Sequence, residues 1–157
     1  MTDNSNLFRL VYVSRLSKGC TPQQLKEIVE KSRRNNPTFQ VTGALCYSIN
    51  GFLQCLEGPR QSVNELYRRI VKDDRNEGVT LVSYEETEKR LFGNWEMAYV
   101  RADEISARIL SRNKIEPKFE PFLLNREQSL GLLKDIVGEK LEFVAKEKSK
   151  RDKPDQS

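Results

Sequence analysis

The sequence contains no histidine. This absence excludes the Ser-His and Cys-His pairs of nucleophilic enzymes and the usual zinc ligand sets, and it leaves only carboxylate metal sites open. The three cysteines, Cys20, Cys46 and Cys55, have no C-x-x-C spacing, and their odd number does not indicate the disulfide framework of a secreted protein. We therefore expect neither a histidine-dependent enzyme nor a bound metal.

Long apolar runs and phosphate-binding motifs are also absent. No apolar stretch approaches the roughly 20 residues of a membrane span, and the N-terminal "MTDNSN" lacks the basic-then-apolar layout of a signal peptide. The eight glycines form neither a G-x-G-x-x-G nor a Walker motif, so a nucleotide would not be held in the Rossmann or P-loop manner. We expect a cytoplasmic protein without a membrane partner.

Positive charge is present but not concentrated. The formal net charge is +4, and the densest basic run, the final "KEKSKRDKPDQS", mixes five Lys or Arg residues with three acids. Such a run is typical of a solvated chain end, so we expect a disordered tail over residues 147–157. A contact with nucleic acid is the alternative interpretation of this run.

Local patterns predict the order of the secondary structure elements. Residues 7–14, "LFRLVYVS", have the composition of a strand, and Thr21 with Gln24 forms a capping box that starts a helix before Pro37. The apolar runs "VTGALCYSI" and "FLQCLEG" flank Asn50-Gly51, which indicates a hairpin. Ser62 with Glu65 is a second capping box, and apolar residues at helical spacing follow it.

Two further strands, "VTLVSYE" and "WEMAYV", complete a ferredoxin-like βαββαβ order plus an extra strand. We predict an α+β fold with a five-stranded mixed sheet and two helices on one face. After Arg101, "EISARIL" and "EQSLGLLKDIVGEKLEFV" have helical spacing. The chain is thus predicted to comprise a domain over residues 7–100, a helical extension over 101–146 and the tail over 147–157.

The first helix turns polar on the face that should be buried. Its inward stripe begins with Leu25, Ile28 and Val29 and continues at the same spacing; the continuing residues are Ser32, Asn35 and Asn36. Asparagines beside a proline often just end a helix. The alternative is that these amides meet a polar ligand edge between the helix and the sheet.

Gln54 lies inside an apolar strand, where an amide without a partner costs about 1–3 kcal/mol. A two-residue Asn50-Gly51 loop would place Tyr47 opposite Gln54 and Cys46 opposite Cys55. The two cysteines would then form a non-hydrogen-bonded pair with Cα atoms about 4.5 Å apart. We expect both to remain thiols in a reducing cytosol.

Other polar or aromatic groups fall in buried positions as well. Tyr12 lies in the first strand, and Trp95 and Met97 share one face of the last strand by alternation. Each alone is compatible with ordinary core packing, whereas together with Gln54 and the pair Asn35 and Asn36 they suit the lining of a pocket for a flat, hydrogen-bonding heterocycle. The segment "RRIVKDDR" offers Arg69 and Arg75 to anionic or carbonyl groups, although a solvated helix end explains those charges equally well.

These residues resemble the BLUF domains, a family of blue-light sensors that use flavin. The shared pattern spans roughly residues 7 to 100 and comprises Tyr12 in "LVYVS", Asn36 in "SRRNNP", "VTGALCYS", Gln54 in "FLQCLEG", "DDR" at 73–75, and Trp95-x-Met97. The C-terminal helices are similar to those of the short, stand-alone members of the PixD type. One departure is Asn76, where many members have histidine. The resemblance therefore implies no imidazole role at this position.

The resemblance implies FAD, with its ring held between the two helices and against the sheet. Asn36 would bind the amide edge of the ring, and the further candidate contacts are Ser32, Asn35, Arg69, Asp73 and Arg75. Tyr12 would donate an electron and a proton to the photoexcited flavin, and Gln54 would bridge Tyr12 and the flavin. Rotation or tautomerisation of Gln54 would then shift the absorption to the red, because a carboxamide presents donors on one side and an acceptor on the other.

The expected output is non-enzymatic, because no cyclase, phosphodiesterase or kinase segment follows the predicted helices. The signal would pass from Gln54 through the strand of Trp95 and Met97 into the C-terminal helices. It would change homo-oligomerisation, with a ring-like decamer as the candidate assembly, or the docking of a response-regulator-like partner.

Two rival interpretations belong to other functional classes. A ferredoxin-like module that stacks RNA bases on sheet aromatics would need an open sheet face, whereas the C-terminal helices compete to cover the sheet, which argues against nucleic acid. A hydrolase of the acylphosphatase type would need a phosphate-binding loop with arginine after the first strand, and "SRLSKGCT" matches this poorly.

Overall fold

The computed structural model describes residues 6–19, 21–35, 40–94, 97–115 and 118–151, without the side chains at positions 22, 25, 29, 32–35 and 140–151. The strands are β1 (Leu7–Leu16), β2 (Thr42–Ser48), β3 (Gly51–Pro59), β4 (Asn76–Glu86) and β5 (Ala98–Arg101). The helices are α1 (Pro22–Asn35), α2 (Arg60–Lys72), α3 (Ala107–Arg112) and α4 (Arg126–Arg151), with short 3₁₀ turns at Ala102–Glu104 and Pro121–Leu123.

The strands form one five-stranded sheet in the order β4-β1-β3-β2-β5. Only the pairing of β2 with β5 is parallel, and the other three pairings are antiparallel. The predicted ferredoxin-like α+β fold with a mixed sheet is therefore confirmed. β3 lies at the centre, and every residue of it from Gly51 to Gly58 is buried.

Helices pack on both faces of the sheet, and the side chains, which alternate along each strand, contribute to an apolar cluster on each face. One face carries Leu10, Tyr12, Leu45 and Phe52 and packs against Val63 and Leu66 of α2, with Ile28 of α1 beside them. The opposite face carries the residues between these. They pack under the C-terminal helices and are Val11, Val13, Cys46, Leu53 and Cys55, with Ile109, Leu132, Leu133 and Ile136 above them.

The predicted start of α1 is confirmed, whereas the predicted start of α2 is wrong. The capping box of α1 is confirmed, since Gln24 N–H donates to Thr21 Oγ1 at 3.2 Å and Thr21 N–H donates to Gln24 Oε1 at 2.9 Å. The box at Ser62 is wrong because α2 already begins at Arg60. The Arg60 N–H finds its partner in the backbone oxygen of Asn6 at 3.1 Å, a tertiary contact that starts the helix one half-turn earlier.

The hairpin register differs from the prediction by two positions. Gly51 pairs with Ser48, so Ile49 and Asn50 form the turn, Leu45 lies opposite Gln54 and Ala44 opposite Cys55. The predicted pairs of Tyr47 with Gln54 and of Cys46 with Cys55 are therefore wrong. Gly51 has a φ of 138° and lies so close to β1 that an added Cβ would be 2.2 Å from the Ser14 backbone oxygen, which places it in the strand instead of the loop.

A shift of two positions keeps every side chain on its predicted face. Cys46 and Cys55 remain buried and are free thiols, as predicted. The last strand begins at Ala98, after Met97, whereas Trp95 and Glu96 lie outside the described residues.

The C-terminal helices also differ from the predicted segments. Ser106 caps α3 through a bond from Ile109 N–H at 3.2 Å, so this helix starts later than "EISARIL". α4 runs to Arg151, into the segment predicted as a tail, and the division of the chain into three units stays a prediction. No helix in the described ranges is long and apolar enough to cross a membrane.

Candidate functional site

A cavity of about 120 Å³ lies between α1, α2 and the sheet. This volume is several times the roughly 30 Å³ that one water molecule occupies in the liquid. The lining residues are Tyr12, Ile28, Lys31, Leu45, Phe52, Gln54, Arg69, Ile70, Asp73, Arg75 and Asn76. The lining combines four apolar side chains with a phenol and an amide at the inner end and with charged side chains, most of them at the α2 end.

Tyr12 and Gln54 form the inner polar end. They are direct partners across β1 and β3, and each is only 3% exposed. The Tyr12 hydroxyl donates a hydrogen bond to Gln54 Oε1. Burial raises the pKa of the Tyr12 phenol far above its ordinary value, and the neighbouring Tyr67 and Asp73 raise it further. The phenol therefore stays protonated and acts as the donor in this pair.

The other end of the Gln54 amide contacts Met97. Gln54 Nε2 donates to Met97 Sδ at 3.4 Å, and Met97 is 3% exposed. A thioether is a weak acceptor and cannot donate. The sequence raised the question of what satisfies the buried amide, and the protein itself supplies two partners, one strong and one weak.

Gly43 makes room for this contact. A Cβ added to Gly43 would lie 2.0 Å from the Cys55 backbone oxygen and 3.3 Å from Met97 Cε. A side chain at this position would therefore force β2 away from β3 and press on Met97. The absence of a side chain at position 43 thus allows β2 to lie close to β3 and Met97 to lie against Gly43.

The α2 end of the cavity carries a paired carboxylate. Arg75 donates to Asp73 through Nε at 2.9 Å, through its terminal nitrogen at 2.6 Å and through its backbone N–H at 3.0 Å. These bonds lower the pKa of Asp73 below its ordinary value, with a smaller contribution from Lys31. The Arg75 side chain is thereby fixed at the cavity, next to Asn76, whose Oδ1 accepts from Ser14 Oγ at 3.3 Å.

The cavity brings together several of the predicted site residues. Tyr12, Gln54, Arg69, Asp73 and Arg75 all line it, and Met97 contacts Gln54. Ser32 and Asn35 lie in the last turns of α1, but their side chains are outside the described part, and Asn36 and Trp95 lie outside it altogether. The functional assignment of these residues stays a prediction.

The sequence reasoning did not select six of the lining residues, namely Ile28, Lys31, Leu45, Phe52, Ile70 and Asn76. Alternation on either side of Gln54 would have found Phe52, and the helical spacing of Ile28 would have found Lys31. Asn76 was noted only as a departure from the family pattern. No local signal indicated that Leu45 lies opposite Gln54, because this depends on the hairpin register.

This lining fits a flavin. Apolar walls suit a flat aromatic ring, and the Gln54 amide offers both donor and acceptor capacity to its heteroatoms. Lys31, Arg69 and Arg75 lie where an anionic tail could pair with them.

The match to a family model decides between the flavin, RNA-binding and hydrolase interpretations. Residues 7–98 match the BLUF family, described as "Sensors of blue-light using FAD". The chain belongs to the BLUF family. The predicted fold, flavin cofactor and family are thereby confirmed, and the flavin interpretation prevails over the RNA-binding and hydrolase alternatives. BLUF domains are light sensors and are not themselves enzymes, although some relatives are photoactivated adenylate cyclase subunits.

Solved BLUF structures have the same fold. The photo-activated state of BlsA is 29% identical with a TM-score of 0.72, over 82% of this chain and 93% of that one. The dark-state structure of BlrB, a BLUF protein, is 27% identical with a TM-score of 0.65, over 80% and 96% of the two chains.

Curated relatives include much longer proteins. A photoactivated adenylate cyclase subunit beta-like protein from Euglena gracilis is 31% identical over 107 residues, which are 67% of this chain and 12% of that protein. The chain thus spans about an eighth of the length of the Euglena relatives that it matches. Their similarity concerns the sensor part.

Proposed function

We propose that this BLUF protein senses blue light through a switch made of Tyr12, Gln54 and Met97. The observation that carries the proposal is the buried hydrogen-bonded series from the Tyr12 hydroxyl through the Gln54 amide to Met97 Sδ at the inner end of the cavity. When bound, FAD supplies the absorption of blue light and an electron acceptor in its excited state. The residues of the chain donate the electron and the proton and change the hydrogen bonds around the ring.

Tyr12 is the proposed source of an electron and a proton. Its pKa is raised by burial, so the hydroxyl keeps its proton in the dark and directs it at Gln54 Oε1. Loss of an electron makes a phenol a strong acid, and the accepting oxygen of Gln54 is already in place. Proton movement therefore needs no rearrangement of the backbone.

Gln54 is the proposed switch, because its amide has different groups at its two ends. Rotation would turn Nε2 towards Tyr12 and Oε1 towards Met97, and a thioether has no hydrogen to donate to that oxygen. Rotation therefore breaks the hydrogen bond from Gln54 to Met97. Tautomerisation leaves an N–H on the Gln54 nitrogen, so that this bond can persist. Either rearrangement changes the hydrogen bonds offered to a flavin carbonyl and so the colour of the bound cofactor.

The proposed output route runs from Met97 into β5. Met97 immediately precedes Ala98, and β5 pairs in parallel with β2. Ala98 belongs to the apolar cluster under α3 and α4, so a shift of Met97 would reach the C-terminal helices through Ala98. We infer a non-enzymatic output through homo-oligomerisation, with a ring-like decamer or a response-regulator-like partner as the assemblies to test, in the cytoplasm.

A light-minus-dark spectrum tests this function. The purified chain should be yellow, release FAD on denaturation, and show a reversible red shift of its flavin absorption under blue light. Light scattering of dark and illuminated samples would follow the assembly. A flavin-loaded protein without a reversible shift would refute the proposal.

A further inference from the structure

The segment between β4 and β5 has to cross the sheet. These strands lie at opposite edges, so the chain between them has to pass β1, β3 and β2. Residues 87–94 and Met97 of this segment are described. Neighbouring strands are about 4.8 Å apart, so the crossing covers roughly 19 Å. The segment ends at Met97, the contact of Gln54. What holds this segment therefore bears directly on the proposed switch.

A row of polar side chains runs across the strands under the crossing. Glu85, Arg9, Glu57 and Thr42 are consecutive cross-strand partners on β4, β1, β3 and β2. They lie on the face of the C-terminal helices, opposite Gln54, because the positions of Gln54 and Glu57 in β3 differ by three, and an odd difference puts two side chains on opposite faces. Glu57 is fully buried, and Arg9 is 7% exposed.

Glu57 binds the backbone of the crossing segment. Its Oε2 accepts from Leu91 N–H at 2.9 Å and from Arg9 Nε at 2.8 Å, and its Oε1 accepts from Phe92 N–H at 2.7 Å. Arg9 in turn donates to Thr87 Oγ1 and to the Lys89 oxygen, at 3.2 and 3.0 Å. A buried carboxylate with three donors thus fixes the segment five residues before Met97.

Among the described residues, two side chains of β3 bind this segment, Glu57 and Gln54, and their bonds differ greatly in strength. Arg90 of the segment also donates to the backbone oxygen of Glu57 at 3.2 Å. Glu57 accepts charge-assisted hydrogen bonds, and removal of a donor would leave a buried charge short of partners. The Gln54 bond ends on a weakly accepting sulfur and depends on the orientation of the amide. The attachment through Glu57 does not depend on the orientation of the Gln54 amide, whereas the hydrogen bond from Gln54 to Met97 is lost when that amide rotates.

We propose that Glu57 is a positioning residue of the light switch, which anchors the crossing segment at Leu91 and Phe92 so that the change at Gln54 moves only its Met97 end. The inference rests on the proposed function of Gln54. Glu57 lies on the face of the sheet opposite Gln54. By holding one end of the segment, it would make the rearrangement of the Gln54 amide displace β5 in one direction.

Amide hydrogen exchange in the flavin-loaded wild-type chain, resolved by residue, tests the anchor without any mutation. Leu91 and Phe92 should exchange equally slowly in darkness and under blue light. The chain contains only two methionines, Met1 and Met97, so a methyl label on methionine reports the other end. The Met97 signal should move on illumination. Loss of protection at Leu91 and Phe92 together with that movement would overturn the inference.

A pair of matched variants adds a second readout. Glu57→Gln removes the carboxylate that binds the segment, whereas Glu85→Gln alters the same polar row at a residue whose partners are Arg9 and Arg126. Both should keep the reversible red shift. In Glu57→Gln, exchange at Leu91 and Phe92 should rise about tenfold or more, as expected for a lost charge-assisted bond, and the light-induced movement of Met97 should shrink.

The outcomes separate the two proposals. A red-shifting Glu57→Gln protein with wild-type behaviour at Leu91, Phe92 and Met97 would refute the anchor alone. Absence of a red shift in the wild type would refute the switch itself. If Glu57→Gln does not fold, the exchange pattern of the wild type still decides.

Discussion

Tyr12 and Gln54 face each other directly across β1 and β3, and the phenol donates its hydrogen bond to the amide oxygen between them. The register of two neighbouring strands thus brings a proton donor and a rotatable amide together at the end of a cavity. Since β3 is buried along nearly its whole length, neither group can exchange its partner for bulk water. A change in either group must therefore be taken up by the other, by Met97 or by the cofactor.

Asn36→Ala should lower the flavin content of the purified protein while the fold survives, because the resemblance to the family implies that this amide would bind the edge of the ring. Asn64→Ala is the matched control. Asn64 lies on α2 with its side chain bound to Tyr84 and Arg60, away from the cavity lining. Extracted flavin per mole of protein is the measurement, and equal occupancy in Asn36→Ala and wild type would remove Asn36 from the site.

Met97→Leu should slow recovery in the dark by about two- to fivefold, because the dark orientation of Gln54 loses a hydrogen bond worth about 0.5–1 kcal/mol. Leucine keeps the bulk of methionine, so the cavity should stay intact. The recovery of flavin absorbance after a blue pulse gives the rate. Recovery as fast as in the wild type would show that the sulfur does not hold the amide.

Gly43→Ala should destabilise the protein by about 1–3 kcal/mol, the usual cost of overpacking, because its Cβ would collide with the backbone of Cys55. Gly138→Ala is the control at an exposed position of α4, where an added Cβ meets nothing within 4 Å and should stabilise the helix by about 1 kcal/mol. Urea unfolding measures both changes. A neutral Gly43→Ala would contradict the close packing of β2 against β3.

Cys46 and Cys55 should resist thiol reagents in the folded protein at pH 8. Burial raises the pKa of both thiols well above their ordinary value, so the reactive thiolate is scarce. In the unfolded chain the thiols ionise at about pH 8.5, so their contribution to stability is present below that pH and is lost as the pH rises above it towards the raised pKa values of the folded state. Mass spectrometry should find at most one label under native conditions and three in denaturant; two or more native labels would contradict the burial.

Much of the fold follows from local patterns in the sequence. Apolar strands, the Thr21 capping box and the glycine-containing hairpin indicated the correct elements, because each depends on residues close in the chain. The register of the hairpin did not follow, since Gly51 is positioned by its approach to Ser14 on another strand. The start of α2 likewise depends on the distant backbone of Asn6.

The candidate site could be predicted in part for the same reason. Tyr12, Gln54 and Met97 belong to short motifs, and the resemblance to a known family made them stand out. Glu57 lies in the same stretch as Gln54, and Arg9 occupies another buried position on β1, but the sequence alone indicated neither residue. Their pairing, and the binding of Leu91 and Phe92, requires the strand order, which no local pattern contains.

The absorption change of flavin-loaded Gln54→Leu under blue light tests the central claim most directly. Leucine keeps similar bulk but deletes every donor and acceptor, so flavin should still bind in the largely apolar slot. The mutant should be yellow without a reversible red shift, and Tyr12→Phe should show a similar loss. Gln61→Leu, on the exposed side of α2, should behave as the wild type. A wild-type red shift and recovery in folded, flavin-loaded Gln54→Leu would contradict the glutamine switch.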